Sequence, residues 1–135
     1  MRDYARQQTA ILLRRLAYQL NRAARNGDAD SIHDLRIAIR RLSRCLRVFA
    51  PFFPADSWKK IRRRLAELME ATGRVRDRDI AFELLAEAGI PPRAAIATRM
   101  AAERRKASHE LLLEIRRWKR RSFSRKWRSR LELSA

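Results

Sequence analysis

Residues 31–49, SIHDLRIAIRRLSRCLRVF, decide the fold class. Ile32, Leu35, Ile39, Leu42, Leu46 and Phe49 recur at alternating spacings of three and four, the stripe of a helix that packs against a core. His33, Arg36, Arg40, Arg44 and Arg47 recur in the same way on a second arc. At about 100° per residue those five side chains fall within roughly 80° of one another. Like charges four residues apart destabilise a helix unless an anion sits among them. Asp34 is the only acid within this segment, so the arginines lack local partners. The pattern predicts an amphipathic helix with one face for a core and one for a ligand carrying closely spaced negative charges.

Composition supports the same reading. Among 135 residues, 46% are hydrophobic and only 3 are glycine and 4 proline, which favours a folded helical domain over a disordered basic tail. The net charge of +18 points to polyanionic partners: nucleic acid, polyphosphate or an anionic membrane surface. Of the 33 basic residues, 28 are arginine, whose planar fork grips phosphate oxygens in pairs. Cys45 is the only cysteine, so no intrachain disulfide and no Cys/His zinc pattern is expected, and it reads as a packing residue. The sequence has no run of apolar residues long enough to span a bilayer and no signal-peptide core, and a cytoplasmic location is the expectation.

Working outward, a first helix is expected from Asp3 to Arg25, with Ile11, Leu12, Leu16 and Leu20 inside and Gly27 as its stop. The second starts near Ser31, capped by Asp30 or Ser31, and ends by Pro51. A third begins near Asp56 or Ser57 and carries Trp58, Ile61, Leu65, Leu68 and Thr72 inward until Gly73 breaks it. A short fourth buries Ile80, Leu84 and Leu85 and stops at Gly89. Pro91-Pro92 opens a long fifth helix of about 30 residues, roughly 45 Å, with Ile96, Met100, Ala107, Leu111, Ile115 and Trp118 on one side. From Ser122 the phase shifts, and Phe123, Trp127 and Leu131 form a new stripe on a short sixth helix or on a turn that docks to a partner. Short loops make neighbouring helices antiparallel, so the fold class is an all-α antiparallel bundle of five to six helices with one long C-terminal helix.

Other constellations are weaker. Arg105, His109, Arg116 and Arg120 share one roughly 60° arc of the fifth helix, a candidate second wall for an anion channel. Lys59, Lys60, Arg62, Arg63 and Arg64 spread around the third helix and read as a solvated surface. In Gly73-Arg74-Val75-Arg76-Asp77-Arg78-Asp79-Ile80, the aspartates suit a helix cap or the orientation of an arginine. His33 suits either a phosphate donor or a cap for its own helix. No Ser/His/Asp order, phosphate-binding glycine loop, HExxH pattern or carboxylate cluster is present, so the reading is binding rather than catalysis, with no metal and no cofactor.

Two segments carry a specific resemblance. Ile32-His33-Asp34-Leu35-Arg36-Ile37-Ala38-Ile39-Arg40-Arg41-Leu42 resembles the first hallmark of the CHAD family, the conserved histidine α-helical domain. Thr72-Gly73-Arg74-Val75-Arg76-Asp77-Arg78-Asp79-Ile80 resembles the second, in the expected order and separation. The resemblance covers nearly the whole chain and implies a helical bundle that binds inorganic polyphosphate. It further implies association with polyphosphate granules and with triphosphate-tunnel (CYTH) enzymes. By position it makes His33, Arg36, Arg40, Arg41, Arg44 and Arg76 binding residues, with Arg47 added by the helical wheel. Ser43 stands where the family is usually basic, thinning the patch, and Thr72 stands where it has leucine. The family's domain has two such repeats, and residues 1–135 resemble one, half of the usual domain. A homodimer that brings two basic stripes together is therefore expected, with an open one-sided groove as the alternative. Two rivals remain: phosphate-backbone binding of nucleic acid, and an adaptor that docks a polyphosphate-processing enzyme or an anionic membrane through the Trp127 tail. Scarce Asn and Gln, and the lack of aromatics within the basic stripe, argue against base-specific readout.

Overall fold

The computed structural model describes residues 1–133, so the last two residues of the expected domain lie outside it. It is all-α: α1 (Arg2–Arg25), α2 (Ala29–Val48), α3 (Ala55–Glu87), α4 (Ala95–Arg120) and α5 (Phe123–Arg130), with one 3₁₀ turn, Ala50–Phe52. Cross-helix contacts fix the directions. Thr9 meets Cys45 while Arg22 meets Asp34, so α1 and α2 are antiparallel. Arg62 meets Ser43 while Arg36 meets Thr72, and Arg104 meets Asp79 while Arg64 meets Glu114. The result is an up-and-down bundle in which α4, continued by α5, forms the fourth column beside α1 and α3. Helices α2 and α4 sit on its diagonal.

The core is the set of stripes turned inward: Leu13, Leu16 and Leu20 of α1, Leu35, Ile39, Leu42 and Leu46 of α2, Ile61, Leu65, Leu68 and Val75 of α3, and Leu111, Ile115 and Trp118 of α4. The inner face of α1 is Ala5, Thr9, Leu13, Leu16 and Leu20, while Ile11 and Leu12 are only half-buried. A contiguous apolar run at residues 10–13 leaves the helical phase ambiguous, and packing selects Leu13. Cys45 is buried, as expected, against Thr9, with Oγ1 to Sγ at 3.3 Å. Burial raises its thiol pKa, and the Thr9 contact opposes that only in part.

Four local expectations are corrected. Asp28, not Asp30 or Ser31, caps α2: its carboxylate accepts the Ser31 N–H at 2.8 Å, so His33 is not needed as a cap. Gly73 does not break α3, which runs unbroken for 33 residues and is the longest helix. Pro91-Pro92 lies in a turn, and α4 starts at Ala95 with Ala94 as its N-cap, so the C-terminal helix is shorter than expected. Gly89 does end α3, with φ at +75°, a conformation that suits glycine. Finally, Leu84 is 59% exposed, Ile80 and Ile96 are also exposed, and Leu85 is half-buried. Helices α1 and α2 turn round at Gly27, whose carbonyl accepts from Arg104 at 2.9 Å, so α3 and α4 run past that level without neighbours.

The tail stripe has its partners within the chain. Ser122 takes a left-handed φ of 51°, which ends α4 and restarts the helix in a new phase. Trp118, Phe123 and Trp127 then close into a mutual trio with ring centroids 5.1–5.2 Å apart, Trp127 packing edge-to-face on the other two rings and Trp118 tilted against Phe123. Phe123, Trp127 and Leu131 are all buried. The stripe is therefore core, and the expectation that it waits for a second copy or a docking partner is overturned.

Candidate anion-binding site

Helix α2 presents the arginines as the wheel requires. Arg40, Arg44 and Arg47 are exposed with His33, and Arg36 is half-buried where α2 meets α3. Between the two helices runs a groove of about 700 Å³, with Ile39, Leu65 and Met69 in its floor and Arg36, Arg40 and Arg74 on its walls. Glu70 and Asp77 also line it, on the α3 side. Among the described residues none of His33, Arg36, Arg40, Arg44, Arg47, Arg74 or Arg76 forms an ion pair. Asp34, the nearest acid on α2, is instead held by Arg22 of α1.

Arg36 is the best-positioned of these cations. Its Nη1 donates to the Met69 carbonyl at 3.1 Å and to Thr72 Oγ1 at 3.0 Å. Thr72 donates in turn to the Met69 carbonyl at 2.8 Å, so its buried hydroxyl is fully used. A guanidinium has five N–H donors, and three remain on Nη2 and Nε. Gly73 is what admits the side chain: a Cβ at this position would lie 3.1 Å from Nη1. The second hallmark thus contributes a landing place for Arg36 rather than a helix break. Burial lowers the Arg36 pKa, as do Arg40 and Arg76 by repulsion, with Asp77 opposing them. An anion in the groove would relieve that repulsion.

Sequence reading missed two contributors. Arg62 of α3 donates from Nε to Ser43 Oγ at 3.2 Å, so the serine that thins the α2 patch recruits a guanidinium from the next helix. Arg74 lines the groove although no local pattern marks it. Two expectations are not brought together with the rest. Arg41 faces the other way, into the α1–α2 groove with Arg14, Arg15 and Tyr18. Arg105, His109 and Arg116 are exposed on α4, the diagonal helix, and point away from the core, so they cannot form a second wall facing α2. Asp79 is structural: it binds Arg104 Nε at 2.8 Å, and Arg104 also holds the Gly27 carbonyl.

Among the described residues no group of three or more His, Cys, Asp or Glu is placed to hold a metal. Among the described residues no helix is long and apolar enough to cross a membrane. The fold and this face define a basic, all-α helical bundle. The chain belongs to the CHAD family, whose CHAD domain model matches residues 7–135, a family associated with polyphosphate-related proteins. No curated protein and no solved structure matches the chain significantly.

Proposed function

We propose that this protein binds inorganic polyphosphate along the α2–α3 face and does not hydrolyse it. The observation that carries the reading is the row of guanidiniums without acidic partners from Arg36 to Arg47, joined across the groove by Arg62 and Arg74, with Arg76 near enough to repel Arg36. The eleven helical steps from Arg36 to Arg47 rise about 16 Å, so the row suits a linear chain of phosphates rather than a single one. Arg36 is pre-aimed by α3, which lowers the ordering cost of gripping such a chain. His33 lies at one end of the row and adds an imidazole N–H donor. Arginines dominate this face, which supports a binding role, at polyphosphate granules or beside a CYTH-type enzyme. Association as a homodimer would bring two such rows together.

Nucleic acid is the competing polyanion. The face has no exposed aromatic platform between its arginines, which disfavours base stacking. The test is competition between long-chain polyphosphate and duplex DNA at about 150 mM salt, where the Debye length is roughly 8 Å. Polyphosphate should displace DNA at equal phosphate concentration. Displacement in the opposite sense would assign the face to nucleic acid.

A further inference from the structure

A second cluster of cations lies on the far side of α3. There α3, the end of α4 and α5 enclose a cleft of about 400 Å³. Lys60, Arg63 and Arg64 come from α3, Arg121 from the α4–α5 junction, and Lys126 and Arg130 from α5. Glu67 is the only acid in the lining, and it pairs with Arg64 at 3.1 Å. Among the described residues Lys60, Arg63, Arg121, Lys126 and Arg130 form no ion pair. Five cations without partners thus converge from three segments on one concavity.

The way α5 is held makes this a rigid arrangement. An eight-residue helix with four basic residues has no stability of its own. The left-handed Ser122 turns it, and the Trp118–Phe123–Trp127 trio fastens it to α4. Arg64 lies over the Trp118 ring, 5.6 Å from its centroid, and binds the floor of the cleft to its wall. The rings are buried, with Trp118 at 1% and Trp127 at 4% exposure, so they offer no open face for stacking a base. The lining supplies charged N–H donors and no amide or hydroxyl to read one.

We propose that this cleft is a second anion site, separate from the α2–α3 face, and that it takes an inorganic oligophosphate. Fixed, unpartnered cations in a concave site focus potential on a multiply charged anion. The arginines grip phosphate oxygens in pairs while Lys60 and Lys126 act as point charges. The site stands on its own residues and does not depend on the polyphosphate reading of α2.

The probe is tripolyphosphate, titrated into the ¹⁵N-labelled full chain and followed by NMR. The chain has three tryptophans, at positions 58, 118 and 127, so the indole N–H signals resolve the cleft directly. The Trp118 indole donates to Glu114, which also meets Arg64, so it senses any movement of that arginine. The Trp118 and Trp127 signals should shift with saturation. A Lys60→Ala/Lys126→Ala/Arg130→Ala variant, which alters only exposed side chains, should weaken that response at least tenfold. It should leave the shifts of α2 amides intact, and Arg36→Ala/Arg40→Ala should do the reverse. Shifts confined to α2 would overturn the second site and leave the polyphosphate reading standing. Shifts confined to the cleft would support the second site and overturn the polyphosphate reading, and a spectrum unmoved throughout would overturn both.

Discussion

Replacing Gly73 with alanine separates the two roles that a mid-helix glycine can play. As an interior residue of α3, Gly73 costs the helix about 1 kcal/mol relative to alanine. The alanine Cβ would lie 3.1 Å from Arg36 Nη1, closer than ordinary packing, and nothing else crowds it. The guanidinium is the far end of a flexible, half-exposed side chain, so it can retreat by a few tenths of an ångström. Retreat stretches its bonds to the Met69 carbonyl and Thr72, now 3.1 and 3.0 Å. Water replaces what the groove side loses, so the propensity gain and the weakened bonds nearly cancel. Gly73→Ala should therefore change stability by no more than about 1 kcal/mol in either direction. Binding should suffer more, because Arg36 is no longer aimed: about 1 kcal/mol, or roughly fivefold in Kd. Urea unfolding at constant m-value gives the first quantity and calorimetric titration with polyphosphate the second. A loss of stability beyond about 2 kcal/mol, or an unchanged affinity, would refute the reasoning.

Arg40→Ala should weaken polyphosphate binding by about 1–3 kcal/mol with helix content unchanged by circular dichroism, since its side chain is exposed and unpaired. Leu42→Ala should instead cost about 2–5 kcal/mol of stability by urea unfolding, because Leu42 is buried in the centre of the bundle. Trp127→Ala should cost about 3–5 kcal/mol, whereas a docking residue waiting for a partner would cost almost nothing. The Ser31 N–H holds the Asp28 carboxylate below the usual carboxylate range. A depressed folded-state pKa gives stability that is present above the unfolded value near ~3.9 and is lost as pH falls through the lower folded value. Helicity should thus fall less steeply below about pH 4 in Asp28→Asn, which keeps an acceptor without titrating, and identical acid profiles would show that this cap does not matter.

The α2 helix was legible because its apolar and basic residues segregate within twenty positions, and both faces are where the wheel puts them. Features that depend on a second helix were not. Gly73 reads locally as a breaker, and only the arrival of Arg36 from 37 residues away shows why a glycine stands there. Ser43 reads as a gap in the patch until Arg62 fills it from α3. The Phe123/Trp127/Leu131 stripe looked partnerless because one left-handed residue, Ser122, shifts its phase relative to Trp118. Arg105, His109 and Arg116 do share an arc, but sequential antiparallel packing puts their helix on the diagonal from α2. Topology, not periodicity, decides which arcs meet.

If α2–α3 is the binding face, position rather than net charge sets the affinity. Two variants that each remove three exposed or half-exposed cations test it: Arg36→Ala/Arg40→Ala/Arg44→Ala on α2, and Arg105→Ala/Lys106→Ala/Arg116→Ala on α4. Their affinities for long-chain polyphosphate are compared at about 150 mM salt, where long-range attraction is screened. The α2 variant should lose at least a hundredfold, from three charged contacts at about 1–3 kcal/mol each, and the α4 variant less than fivefold. Equal losses in the two would contradict the account and leave only non-specific attraction to a +18 chain.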